Sequence, residues 1–160
     1  MIRKVELQDA HALADIYNHY IAHSTATFDI RPIGEEEMRK RIATLSACHP
    51  YFVCEEEGKI AGYCYAHPWK EKDAYSRTLE TTVYLAPGQE RKGIGTQLMR
   101  QLIDECRRSE VHSLIACITE DNQASCLFHE RLGFTQVSHF KEAGFKFGKW
   151  VGIIDYQLIL

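Results

Sequence analysis

The chain has 160 residues, 45% hydrophobic and 26% charged, which is enough for one compact core and too few for two. Its formal net charge of -3 argues against a nucleic-acid partner, whose phosphates require a basic face. No apolar run approaches the roughly 20 residues of a membrane span, so no membrane partner is expected.

The opening residues pass straight into a patterned strand and helix, which makes the cytoplasm the expected address. Residues 2–7 read as a strand and Asp9 as the N-cap of a helix. Along that helix Ala10, Leu13, Ile16, Tyr17, Tyr20 and Ile21 recur at helical spacing. A second helix is predicted from Gly34, where Glu35, Glu36 and Glu37 suit the positive end of the dipole and Met38, Ile42 and Leu45 form the apolar stripe. Residues 51–56 and 60–66 read as two strands of a hairpin around Glu57-Gly58-Lys59, and 77–85 as a further strand.

Beyond it, Ile94, Leu98, Leu102, Ile103 and Cys106 line one face of a helix whose other face carries Arg100, Asp104, Arg107 and Arg108. A strand over 113–119, a helix over 123–132 stopped by Gly133, and strands over 134–140 and 149–160 complete the chain. A hairpin in the first half and alternating strands and helices in the second predict an α+β sandwich with a mixed, mostly antiparallel sheet flanked by helices. No repeat or linker interrupts the pattern, so a single domain over 1–160 is expected. The six cysteines form no C-x-x-C pair, and they read as small buried hydrophobes, with neither a metal nor a disulfide framework expected.

The most informative stretch runs from Thr82 to Thr96. A strand ends, a loop follows, and Gly93 and Gly95 open an amphipathic helix. Free backbone N–H groups at a helix start form an anion site, and glycine lets a phosphate approach the main chain. Ordinary capping would use the same glycines. A Walker motif is absent, and a dinucleotide fingerprint is excluded because Leu98 stands where its third glycine would fall. In the next helix, Asn122, Ser125 and His129 fall on one face beside the apolar set Ala124, Leu127, Phe128 and Leu132. A solvated face would give the same stripe.

Around Gly93-Ile94-Gly95 and Gly133-Phe134 the chain resembles the GCN5-related N-acetyltransferase superfamily. It is similar over nearly its whole length to the phosphinothricin and methionine sulfoximine acetyltransferase group. The pieces that carry the likeness include Ile16-Tyr17-Asn18-His19-Tyr20, Glu80-Thr81-Thr82-Val83-Tyr84, His129-Glu130-Arg131-Leu132-Gly133-Phe134 and Lys146-Phe147-Gly148-Lys149-Trp150. The resemblance implies acetyl-CoA as cosubstrate, with the diphosphate on Arg91, Lys92, Gly93, Ile94, Gly95 and Thr96. Pantetheine would run along Val83, Tyr84 and Leu85, with further contacts at Asn122 and Ser125.

It also makes Glu80 the base that deprotonates an amine, His129 the proton donor to the departing sulfur, and the protein a homodimer. Phe28, Lys72, Tyr75, Arg77 and Lys146 become acceptor-side residues for a small amino-acid-like amine. A direct transfer in a ternary complex is expected, since Cys126 has no evident activating base. Four positions depart from the group: Glu90 replaces Gln or Arg, Arg91 a frequent glycine, Lys72 an arginine, and Gly152 an acidic residue. Other acceptors (a polyamine, an antibiotic amine or a protein N-terminus) and a non-catalytic acyl-CoA sensor are the competing readings.

Overall fold

The computed structural model describes residues 1–160. Eleven principal elements follow in chain order: β1 (Ile2–Lys4), α1 (Ala10–His23), α2 (Glu35–Ser46), β2 (Tyr51–Glu56), β3 (Lys59–Pro68), β4 (Thr78–Leu85), α3 (Ile94–Arg107), β5 (Ser113–Thr119), α4 (Gln123–Arg131), β6 (Thr135–Lys146) and β7 (Lys149–Ile159). The strands form one sheet in the order β1-β2-β3-β4-β5-β7-β6, in which only β4 and β5 run parallel. Parallel neighbours need a long crossover, and α3 supplies it. No helix is long and apolar enough to cross a membrane.

Alternation along the central strands divides the core. Phe52, Cys54 and Cys64 face α3, where Ile94, Leu98, Met99, Leu102 and Cys106 are buried. Tyr51, Val53 and Tyr63 face the other way, against Leu13, Ile16 and Tyr17 of α1 and Met38 and Ile42 of α2. Each large side chain taken out of water in these layers contributes roughly 1.5–3 kcal/mol. The two helical layers hold β4 rigidly on its β3 side, where pairing runs from Gly62–Leu85 to Pro68–Leu79.

On the other side β4 is held only briefly. Its register with β5 covers Thr78–Ser113, Leu79–Leu114 and Glu80–Ile115, and stops. Beyond Glu80 the two strands part, with the Thr81 hydroxyl reaching across to the Ile115 carbonyl at 3.4 Å. The gap between them is the most consequential feature of the sheet.

The first predicted strand is shortened. It ends at Lys4, and a 3-10 turn over Leu7–Asp9 precedes α1. Asp9 stands at the start of α1 but does not cap it. Its buried carboxylate accepts from the Arg3 guanidinium through both oxygens at 2.8 Å, and from the Glu6 amide at 2.8 Å. A guanidinium fork is the stronger partner for a buried carboxylate than a helix-end amide.

The predicted strand over 134–140 is lengthened in turn, to Lys146. A bulged segment between Phe140 and Gly144, with Glu142 at φ 52°, hides it from a search for alternating residues. It turns into β7 through Phe147 and Gly148, both with positive φ, as a two-residue hairpin loop requires. All six cysteines are free; Cys54, Cys64, Cys106 and Cys126 are buried as expected, whereas Cys48 and Cys117 are exposed.

Candidate active site

The parting of β4 and β5 opens a cleft of about 1310 Å³. Glu80, Val83, Tyr84 and Leu85 form one side, and Ala116 to Thr119 of β5 form the other. The start of α3 closes one end with Arg91, Gly93, Gly95 and Thr96. Asn122, Ser125, Phe128 and His129 come from the α4 side, and Ser24 to Phe28 from the connection between α1 and α2. Phe28, Glu80, His129 and the glycine-rich loop thus share one cavity.

At the α3 end, the Gln97 amide donates to the Gly93 carbonyl at 3.1 Å and is the first to enter the helical ladder. The amides of Ile94, Gly95 and Thr96 therefore precede the first turn's bonds, with the helix dipole behind them. Gly93 sits at φ 82°, and its neighbour Arg91 at φ 63°. The left-handed geometry explains why glycine is frequent at the Arg91 position, because an L side chain there costs roughly 1–2 kcal/mol. Arg91→Gly should relieve that strain against a glycine entropy cost of roughly 0.5–1 kcal/mol. A small rise in the urea midpoint is expected, together with weaker acetyl-CoA binding at low salt from the lost charge. Lys92 turns away from the cleft, its Nζ donating to Gln89 at 2.9 Å, and the Ile94 side chain lies in the core.

Glu80 is half-enclosed where β4 leaves β5. Burial raises its carboxyl above the ordinary value; His67, with Nε2 3.8 Å from Oε1, opposes the rise, and Asp155 adds to it. A raised carboxylate is a stronger base, the property an amine deprotonation uses.

His129 is only 3% exposed. Its Nδ1 lies 2.8 Å from the Ser125 carbonyl, which only accepts, so the neutral ring carries its proton on Nδ1 and leaves Nε2 bare. Burial lowers its pKa, and the Ser125 bond opposes this. Because the folded value lies below the ordinary 6.5, the unfolded chain binds more protons as pH falls through that window. His129 therefore stabilises the fold above pH 6.5 and loses this contribution on acidification. His129→Gln should flatten the decline in urea stability between neutral and acidic pH, with a residual slope from His49, which burial also lowers.

Asn122 has a structural task besides facing the cleft. It caps α4, its Oδ1 accepting from the Ser125 amide at 3.2 Å. Lys146 is 3% exposed and donates to the Ser24 and Thr27 carbonyls at 2.7 and 2.8 Å. Lys72, Tyr75 and Arg77 lie on the β3–β4 connection and its exit, outside the cleft lining. Tyr75 packs edge-on against Trp69 at 5.4 Å, and Arg77 pairs with Glu110 at 3.4 Å. At Gly152, where an acidic residue is common in the resembling group, the backbone amide donates to Glu120 Oε1 at 2.9 Å, and a built Cβ would lie 2.5 Å from Oε2.

Tyr20 escaped sequence reasoning because it looked like one more residue of an apolar helix stripe. Its hydroxyl donates to the Leu85 carbonyl at 2.9 Å and accepts from the Leu85 amide at 3.4 Å. It thereby occupies main-chain groups at the free end of β4. Neither cysteine near the cleft is an activated nucleophile. Burial raises the Cys126 thiol, and the Cys117 thiol, open to the cleft yet walled in by it, is raised to about 12 by desolvation there with help from Asp155 and Glu80.

A seven-stranded mixed sheet split between β4 and β5, with the unpaired amides of a helix start beside the split, defines an acyl-CoA-dependent transferase class of site. An acetyltransferase (GNAT) domain model matches residues 2–154, and the chain belongs to that acetyltransferase family. It is 39% identical over 158 residues to a phosphinothricin N-acetyltransferase of Alcaligenes faecalis, covering 98% of this chain and 80% of that one. It is 35% identical over 163 residues to an L-methionine sulfoximine/L-methionine sulfone acetyltransferase of Salmonella typhimurium, covering 99% and 94%. Among solved structures, a phosphinothricin acetyltransferase from Sinorhizobium meliloti in complex with acetyl-CoA superposes with a TM-score of 0.96 at 31% identity, covering 100% and 88%.

Proposed function

We propose that this enzyme transfers the acetyl group of acetyl-CoA to the amine of a small amino-acid-like acceptor, of the phosphinothricin or methionine sulfoximine type. The observation that carries this reading is the single cleft that has an anion-binding helix start at one end and a burial-raised carboxylate, Glu80, beside it. The relatives' acceptors share an α-amino group that is mostly ammonium at neutral pH, so transfer needs a base.

In this reading the diphosphate rests on the amides of Ile94, Gly95 and Thr96 with Arg91 and Gly93 beside it, and Lys92, turned away toward Gln89, makes no contact with it. Pantetheine runs along Val83, Tyr84 and Leu85 between β4 and β5, with Asn122 and Ser125 on the α4 side. Main-chain N–H groups near Val83 and Tyr84 polarise the thioester carbonyl. Glu80 takes the ammonium proton directly or through water, and the free amine attacks the carbonyl carbon. His129, resting neutral with Nε2 bare, takes the second amine proton from the tetrahedral intermediate and returns it to the departing sulfur. Phe28 lines the acceptor side of the cleft with Lys146 behind it, whereas Lys72, Tyr75 and Arg77 stand outside the lining and are not assigned to the acceptor.

The reading places one domain over 1–160 in the cytoplasm as a homodimer. Exposed Phe140, Phe145, Phe147 and Trp150 on the β6–β7 hairpin supply an apolar surface for association. The test is a panel of amines incubated with enzyme and acetyl-CoA, with free CoA thiol followed. Turnover confined to amino-acid analogues is expected. Preferential turnover of a polyamine, an antibiotic amine or a peptide N-terminus would replace the acceptor, and binding of acetyl-CoA without thiol release from any amine would make the protein a sensor.

A further inference from the structure

The segment Ser24–Phe28 lines the cleft but belongs to no helix or strand. Its backbone amides bond locally, as with the Ala26 amide to Ser24 Oγ at 3.0 Å and the Asp29 amide to Thr27 Oγ1 at 3.1 Å, and the Tyr17 hydroxyl of α1 lies 2.9 Å from Thr27 Oγ1. The local bonds shape a turn without fixing where it lies on the sheet. Tyr17 ties Thr27 to α1, and the remaining anchors come from the far end of the chain.

Lys146, the last residue of β6, reaches in with its ammonium and donates to two main-chain carbonyls of the segment, those of Ser24 and Thr27. The lysine is buried and makes no ion pair, and its Nζ lies 5.0 Å from the centroid of the Phe147 ring. A buried ammonium without a carboxylate partner depends on those carbonyls, and they depend on it. Two residues earlier on β6 stands Gly144. A Cβ built there would lie 2.3 Å from Cε2 and 2.4 Å from Cζ of Phe28, so the Phe28 ring rests where only glycine leaves room. At the opposite end of the segment, Thr25 Oγ1 donates to Asp121 at 2.6 Å.

We infer that Lys146 is a positioning residue that latches the 24–28 segment to β6, and that Gly144 is the seat against which Phe28 sets the width of the acceptor pocket. The pocket half of this inference rests on the proposed acyl transfer; the latch itself rests on geometry alone. Lys146 acts through the segment and does not itself need to touch the acceptor.

Lys146→Met keeps a similar volume and removes the donors. Backbone amide hydrogen exchange, read by mass spectrometry on the full chain, should speed up roughly tenfold over residues 24–29 while the central strands keep their protection. The acceptor KM should rise roughly tenfold, with acetyl-CoA affinity by calorimetry changed less than about twofold. Unchanged exchange over 24–29, or acceleration spread evenly through the sheet, would overturn the latch. Should Lys146→Met fail to fold, Gly144→Ala, which pushes Phe28 off its seat, must produce the same local acceleration and acceptor effect; their absence overturns the inference as well. A wild-type protein that binds acetyl-CoA but acetylates no amine would defeat the functional reading, and the exchange result would still decide the latch.

Discussion

Glu80→Gln should lower kcat by roughly 10²–10⁴, the range for removal of a general base, and leave acetyl-CoA affinity nearly unchanged. The substitution keeps shape and hydrogen-bonding capacity but cannot take a proton. The wild-type pH profile should show an acid limb above the ordinary glutamate value of 4.5, because burial raises the Glu80 carboxyl. Activity falls on acidification as the base becomes protonated, and this limb should disappear in the variant. Steady-state kinetics from acidic to alkaline pH, with free CoA thiol as readout, decide the matter. Activity surviving within a few-fold at every pH would reduce Glu80 to a strand carboxylate facing His67.

Gly95→Leu should weaken acetyl-CoA binding roughly 10- to 100-fold. A Cβ at Gly95 already reaches ordinary contact with the Phe128 ring, 3.5 Å away, and with Leu85 Cδ1, 3.8 Å away. The remaining leucine atoms must displace one of them. Overpacking of this kind costs roughly 1–3 kcal/mol, which is felt in the cleft because both neighbours line it. Gly95→Ala provides the control. It adds only the tolerated Cβ and should bind nearly as well as wild type. Calorimetry with folded variants measures both, and a Gly95→Leu protein with wild-type affinity would remove the helix start from the cofactor site.

The α3 stripe was legible in the sequence because Ile94, Leu98, Leu102 and Cys106 meet on one face under the 3.6-residue period whatever lies opposite. The same holds for the glycines that open α3 and for the polar row Asn122, Ser125 and His129 on α4. Residues on one helix share a face by local geometry. Membership of one cavity for Glu80 and His129 was legible only through the family resemblance, since nothing in their spacing of 49 positions brings them together.

Other features depended on partners far away in the chain. Asp9 looked like a cap until Arg3 was seen to hold its carboxylate. The second half of β6 carried no alternation, because a bulge interrupts its pairing with β7. Tyr20 and Lys146 read as a core aromatic and an acceptor-side cation, yet each spends its polar tip on a main-chain group 65 and 122 positions away, respectively.

By itself the sequence determined most of the elements, the apolar faces of the helices and the chemical types available for catalysis, because these follow from short-range periodicity and side-chain chemistry. Only the tertiary structure decided where β4 leaves β5, which proton His129 carries, and what holds the Ser24–Phe28 segment in place. Those outcomes depend on pairing and hydrogen bonds between segments that the chain order keeps apart.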